Sequence, residues 1–264
     1  MHTYKWLAIE TSTDILSLAL ASTHGDASEV WTRTLDGGAK SSQLVLPEIM
    51  QLMEEAQIRF TDLTAVVFGK GPGSFTGLRT ACSVAQGLAF GANVPVLPID
   101  TLLAVAEEAR FQNAQQHAQN SAQHCEDVQR FFVAMDARMD QVYTAAYECK
   151  SECQSTKQAT WQCVQVPSVN SPEDICVPAE WNDYEFTTVG NAWQAFATRW
   201  PAVLSEKHMH AMPTAQALLR LAPVAFEQGL AVSPEDALPI YIRDKVAQTT
   251  QEREQIKLAT TIST

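Results

Sequence analysis

The chain has 264 residues, enough for one large domain or two small ones, and 46% of them are apolar, which is ample for a packed core. Its 18 Lys and Arg against 30 Asp and Glu leave a formal charge of −12, which opposes tight binding of nucleic acid by this chain alone. A run of about 18 apolar residues is absent, and residues 1–10 carry Lys5 and Glu10 with no apolar core, so neither a spanning helix nor a signal peptide is expected. The six cysteines form no CxxC pair, so reduced thiols and a cytoplasmic protein are expected.

In chain order, residues 5–10 and 15–21 read as strands joined by the turn Thr11-Ser12-Thr13-Asp14, with a third strand at 29–35. Residues 41–57 read as a helix capped by Ser41 or Ser42, with Leu44, Leu46, Ile49, Met50 and Met53 on a broad apolar face. A βαβ unit follows: a strand at 65–68, a helix at 74–90 capped by Ser74, and a strand at 94–99. Another helix begins near Thr101. Residues 111–127 are rich in Gln, Asn, Ala and His and read as a polar insertion between two lobes, flexible or a frayed helix. Strands are expected at 130–136, 142–148, 160–166 and 187–189. An aromatic helix with Trp193 and Phe196 comes after Gly190, and a last apolar helix spans 214–228. An extended segment at 238–243 and a polar, exposed tail after Lys245 complete the reading.

The loop between the strand at 65–68 and the helix at 74–90 holds glycines at 69, 71 and 73. Such loops can aim backbone N–H groups at an anion. The spacing fits neither GxxxxGK[ST] nor GxGxxG, and Pro72 breaks the GxSxG elbow, so a tight structural turn is favoured over a phosphate cradle.

Segment LAIETSTDILSLA from Leu7 echoes VAMDARMDQVYTA from Val133 at an offset of 126, so Glu10 faces Asp136 and Leu16 faces Val142. Each is a strand ending in a carboxylate, a tight turn and a returning strand. Two lobes that each open with such a hairpin predict a duplicated α/β fold of the actin-like, ribonuclease-H-like kind, with mixed sheets flanked by helices. Glu10 and Asp136 would then face each other across an interlobe cleft and could hold a metal–nucleotide. Turn chemistry at Thr11, Ser12 and Thr13 is the plainer account, since ETSTD has no glycine where phosphate would approach.

No two of His2, His24, His117, His124, His208 and His210 stand four apart, so no helix presents an HExxH-like pair, and no metal site is expected. Trp193, Phe196 and Trp200 are most simply core. The helices at 41–57 and 74–90 have core faces too. Their surplus of apolar and small residues, Gly77, Ala81, Ser83, Ala85, Gly87 and Ala89 among them, also suits a helical interface, and the pattern leaves both readings open.

The segment GKGPGSFTGLRTACSVAQGLAFG resembles the signature of the TsaB (YeaZ) family of tRNA threonylcarbamoyladenosine biosynthesis proteins. ETSTD is similar to that family's first hairpin, with Glu10 where Asp is usual. MDARMDQVYTAAYE is similar to its second-lobe hairpin, and PIYIRD to its C-terminal motif. Ser41-Ser42-Gln43 departs from the family, where a histidine often precedes the first long helix. The resemblance implies an actin-like fold without catalysis, with no catalytic residue and no metal. It implies a first lobe at 1–105 completed by 214–245, a second lobe at 106–213 and a flexible tail at 246–264. It also implies partners: a TsaD-type transferase, a TsaE-type ATPase through that complex, a second copy of the chain, and tRNA indirectly. The contact would use the first two long helices, through Leu46, Ile49, Met50, Met53, Phe75, Leu78, Arg79, Cys82, Val84 and Ala85. Glu10, Thr11, Ser12, Asp136 and Gly190 would form a vestigial nucleotide cleft. No cofactor would be held tightly, with ATP or ADP at the partner contact. Two other readings are an active actin-like ATPase or kinase using Glu10 and Asp136, and a glycoprotease-like metallopeptidase.

Overall fold

The computed structural model describes residues 3–24, 27–118, 128–151, 159–204 and 207–243. Two five-stranded sheets form the frame. The first contains β1 (Thr3–Glu10), β2 (Ile15–His24), β3 (Ala27–Asp36), β4 (Ala65–Gly69) and β5 (Val96–Ile99), in the order β3-β2-β1-β4-β5. The second contains β6 (Gln129–Arg138), β7 (Gln141–Ser151), β8 (Ala159–Asn170), β9 (Thr187–Val189) and β10 (His208–Met209), in the order β8-β7-β6-β9-β10. In each, three antiparallel strands are extended by two parallel ones. The two hairpins that echo each other in sequence, β1–β2 and β6–β7, hold equivalent central places. The expected duplicated α/β fold is therefore present.

Among the described residues, five α-helices cover the sheets: α1 (Ser41–Ala56), α2 (Phe75–Ala92), α3 (Thr101–Ala118), α4 (Ala192–Phe196) and α5 (Ala215–Glu227). On one face of the first sheet, Val45, Ile49, Leu52 and Met53 of α1 and Ala81, Cys82 and Ala85 of α2 join Leu7, Ile9, Leu18 and Phe68 in a single core. Its other face is covered by α5, through Ala215, Leu218 and Ala222 packed with Trp6, Ala8 and Val67. α3 follows the first sheet in sequence, yet Leu102, Val105 and Ala109 pack on the second, against Phe131, Val133 and Tyr147. Each lobe thus lends its last helix to the other.

α3 and α5 meet at a buried ionic cluster. Glu107 accepts from Arg110 Nε (2.8 Å), Arg220 Nε (2.8 Å) and Trp161 Nε1 (3.3 Å), while Glu108 takes Arg220 Nη2 (2.5 Å) and the Thr214 hydroxyl (2.9 Å). The expected lobe boundary at residue 105 falls inside α3. The expected polar insertion at 111–127 also begins inside this helix, which runs to Ala118; residues 119–127 and the tail at 246–264 lie outside the described residues.

Candidate functional site

The β1–β2 turn and the β6–β7 turn face each other across a cleft of about 370 Å³. Its walls come from both hairpin turns, from the loop 72–75 entering α2, from Thr101 and Leu102 of α3, and from the extended segment 240–243. That segment straps the lobes together. Ile240 N donates to Lys70 O (2.7 Å), and Arg243 Nη2 donates to the carbonyls of Ala137 (2.9 Å) and Arg138 (3.1 Å).

Among the expected cleft residues, Ser12 and Asp136 line the cavity and the other three do not. Glu10 is buried beneath the turn: its Oε1 accepts from Ser12 N (2.6 Å), and its Oε2 has no partner. The carboxylate leans on Gly69, where any Cβ would stand 1.9 Å from Oε2. Burial raises its pKa above the usual carboxylate range, offset in part by bonds from Ser12 and Thr11. Thr11 is also buried, its hydroxyl donating to Gly77 O (2.7 Å). Gly190, at φ +127°, packs its Cα against Ala134 O and lines a separate shallow hollow with Trp193 and His208. The expectation that Glu10, Thr11 and Gly190 face the cleft is corrected accordingly.

The glycine-rich loop is occupied by its own protein. Ser74 N donates to Ser12 O (2.7 Å), and the Ser74 hydroxyl caps α2 by accepting from Gly77 N (3.4 Å). A Cβ at Gly77 would lie 1.8 Å from Thr11 O, so this glycine lets the first hairpin press onto the helix. The N-terminus of α2 is filled by the β1–β2 turn, in keeping with a structural turn. The cleft's carboxylates are engaged as well. Arg138 pairs with Asp14 across the cleft (2.6 Å) and with Asp136 (3.5 Å), and Asp136 also accepts from Arg138 N (2.8 Å). Arg138, Met139 and Asp140 are all left-handed, with φ between 54° and 61°, which aims the Arg138 side chain over the opening. Sequence reasoning missed Arg138 and Arg243, because nothing local marks the tip of a hairpin or a strap as a cleft wall. Among the described residues, no group of three His, Cys, Asp or Glu side chains converges to hold a metal.

The outer face of α1 and α2 is a second feature. Ile49, Met53, Cys82 and Ala85 were expected at an interface but point into the core, and Leu78, also expected there, is buried at the cleft wall, so all five are corrected to structural residues. α1 presents to the sheet the residues at 45, 49, 52 and 53, and Leu46 and Met50 project away from it, 46% and 56% exposed. On α2, Arg79 is exposed, Phe75 and Val84 are half-buried, and Phe90 is 77% exposed. Gly87 and Gly91 have nothing within 4 Å of where a Cβ would stand, which leaves that face of the helix open.

The TsaD family model, tRNA N6-adenosine threonylcarbamoyltransferase, matches residues 38–251. The chain is 31% identical over 249 residues to tRNA threonylcarbamoyladenosine biosynthesis protein TsaB of Escherichia coli, covering 91% of this chain and 95% of that one. The chain belongs to the TsaB (YeaZ) family. TsaB of Haemophilus influenzae is 32% identical over 255 residues, covering 93% of this chain and 96% of its own length. The solved YeaZ of Pseudomonas aeruginosa superposes with a TM-score of 0.73 at 30% identity, covering 90% of this chain and 99% of that one. TsaB proteins carry the name of a tRNA modification pathway, and the chain's membership supports a role in that pathway. No described helix is long and apolar enough to cross a membrane.

Proposed function

We propose that this chain is a non-catalytic subunit of the cytoplasmic machinery that makes threonylcarbamoyladenosine in tRNA. In this reading it binds and activates a TsaD-type transferase, and a TsaE-type ATPase joins through that complex. The observation that carries the reading is the apolar face of α1 and α2 that no other described residue covers, with Leu46, Met50 and Phe90 exposed over a complete core. Large exposed apolar side chains on adjacent helices suit a protein partner. Without the transferase the same face serves a homodimer, and the transferase displaces the second copy. The non-catalytic part of the reading is supported by the cleft: its glycine loop is filled by Thr11 and Ser12, and Asp14 and Asp136 are both engaged by Arg138. No nucleotide is held tightly by this chain, and ATP or ADP sits at the partner contact. The transferase handles the tRNA, in keeping with a net charge of −12 here.

A pair of variants tests the surface. Met50→Asp places a charge on the exposed face and should leave thermal melting unchanged while abolishing transferase binding in a pull-down. Met53→Asp buries the same charge in the core and should unfold the protein. Normal binding by Met50→Asp removes the proposed surface.

A further inference from the structure

In a chain with 30 acidic and 18 basic side chains, a guanidinium without a carboxylate stands out. Among the described residues, Arg79 and Arg243 have none, and every other arginine is paired with Asp or Glu. Arg243 lies on the strap, and Arg79 lies on α2 against it. Arg79 donates Nε to the Tyr241 hydroxyl (3.0 Å), and its guanidinium lies 3.8 Å over the Phe75 ring. Arg243 is held by two backbone carbonyls and by Met139 Sδ, and its Nε is buried without a partner. Phe75, Tyr241 and Arg243 line the cleft, and Met135, Met139 and Met212 line it too. The strap is therefore cationic beside a methionine-rich wall. Ile240 and Tyr241 of the strap and Leu238 before it are exposed and continue onto α2, where Ala237 O accepts from Gln86 Nε2 (3.0 Å).

We propose that the mouth of the cleft is a docking groove for an acidic, apolar segment of the partner that covers α1 and α2. A carboxylate of that segment takes the exposed Arg79 fork, drawn by the uncompensated charge of Arg243, and an apolar side chain enters among the methionines. The inference rests on the partner reading given above. Three features select a protein segment as occupant. The groove is continuous with the exposed α2 face. Its unspent charge is a side-chain fork suited to a carboxylate. Methionine walls mould to side chains of varied shape. A phosphate would find the N-terminus of α2 already taken by the β1–β2 turn.

The test is calorimetric titration of the intact chain with the TsaD-type transferase, with melting curves alongside. Arg79→Gln and Arg243→Gln should each weaken binding by about tenfold or more. Arg79 is exposed, so its variant should melt normally and carries the test if Arg243→Gln folds poorly. Binding lost in Met50→Asp but untouched in Arg79→Gln leaves the partner reading standing and overturns the groove. Wild-type protein that fails to bind the transferase overturns both. ADP that displaces the transferase from wild type but not from Arg243→Gln assigns the cleft to a nucleotide and also overturns the groove.

Discussion

Glu10 is a carboxylate buried under a hairpin turn, in room that Gly69 leaves for it. The hairpin turn after it and its equivalence to Asp136 were both legible in the echo between the two segments. Its direction was not, since whether a strand's last side chain turns inward depends on room supplied from elsewhere. That room is Gly69, 59 positions on in sequence, where only a missing Cβ admits the carboxylate. Burial raises the Glu10 pKa from its ordinary 4.5, so the folded state binds a proton that the unfolded chain has released. This residue therefore lowers stability as pH rises from about 4.5 through its folded pKa, and the cost is relieved as pH falls back. Glu10→Gln removes that titration and should flatten the melting temperature over the same window. A variant with the wild-type pH dependence would show that Glu10 is ionised in the fold without cost.

At the scale of elements, the period of the helices was legible and their orientation was not. α1 is apolar on more than one stripe, and the choice of 45, 49, 52 and 53 for the core follows from how the helix lies on the first sheet, a long-range fact. α3 enters the expected polar insertion, flexible or a frayed helix, at 111, where composition turns to Gln and Asn. It stays helical because Phe111 lies 4.1 Å beneath the Arg220 guanidinium and Gln112 donates to Glu108 (3.2 Å). The glycines of α2 divide by the same logic. Gly77→Ala forces a Cβ against Thr11 O and should cost more than about 2 kcal/mol. Gly87→Ala meets nothing within 4 Å and should stabilise the isolated protein by about 0.5–1 kcal/mol through helix propensity. Urea unfolding of both variants checks this. Equal effects would mean that the first hairpin does not press on the helix.

In the whole molecule, duplication was visible because β1–β2 and β6–β7 keep their pattern at a fixed offset. Which sheet α3 and α5 cover has no local mark in either helix, and only the resemblance implied that 214–245 completes the first lobe. The ionic cluster where they meet holds the exchange together. Glu107→Gln leaves Arg110 and Arg220 without their shared buried carboxylate and should cost about 3 kcal/mol, read as a lower urea midpoint. An unchanged midpoint would show that apolar packing alone joins the lobes. The central claim, that this chain serves a transferase rather than acting alone, is tested most directly by reconstituting tRNA threonylcarbamoylation from purified components. The account predicts modified adenosine only when this chain accompanies the transferase, loss of modification with Met50→Asp, and unchanged modification with Asp136→Ala. Modification at full rate without this chain, or ATP turnover by the chain alone that Asp136→Ala abolishes, would contradict it.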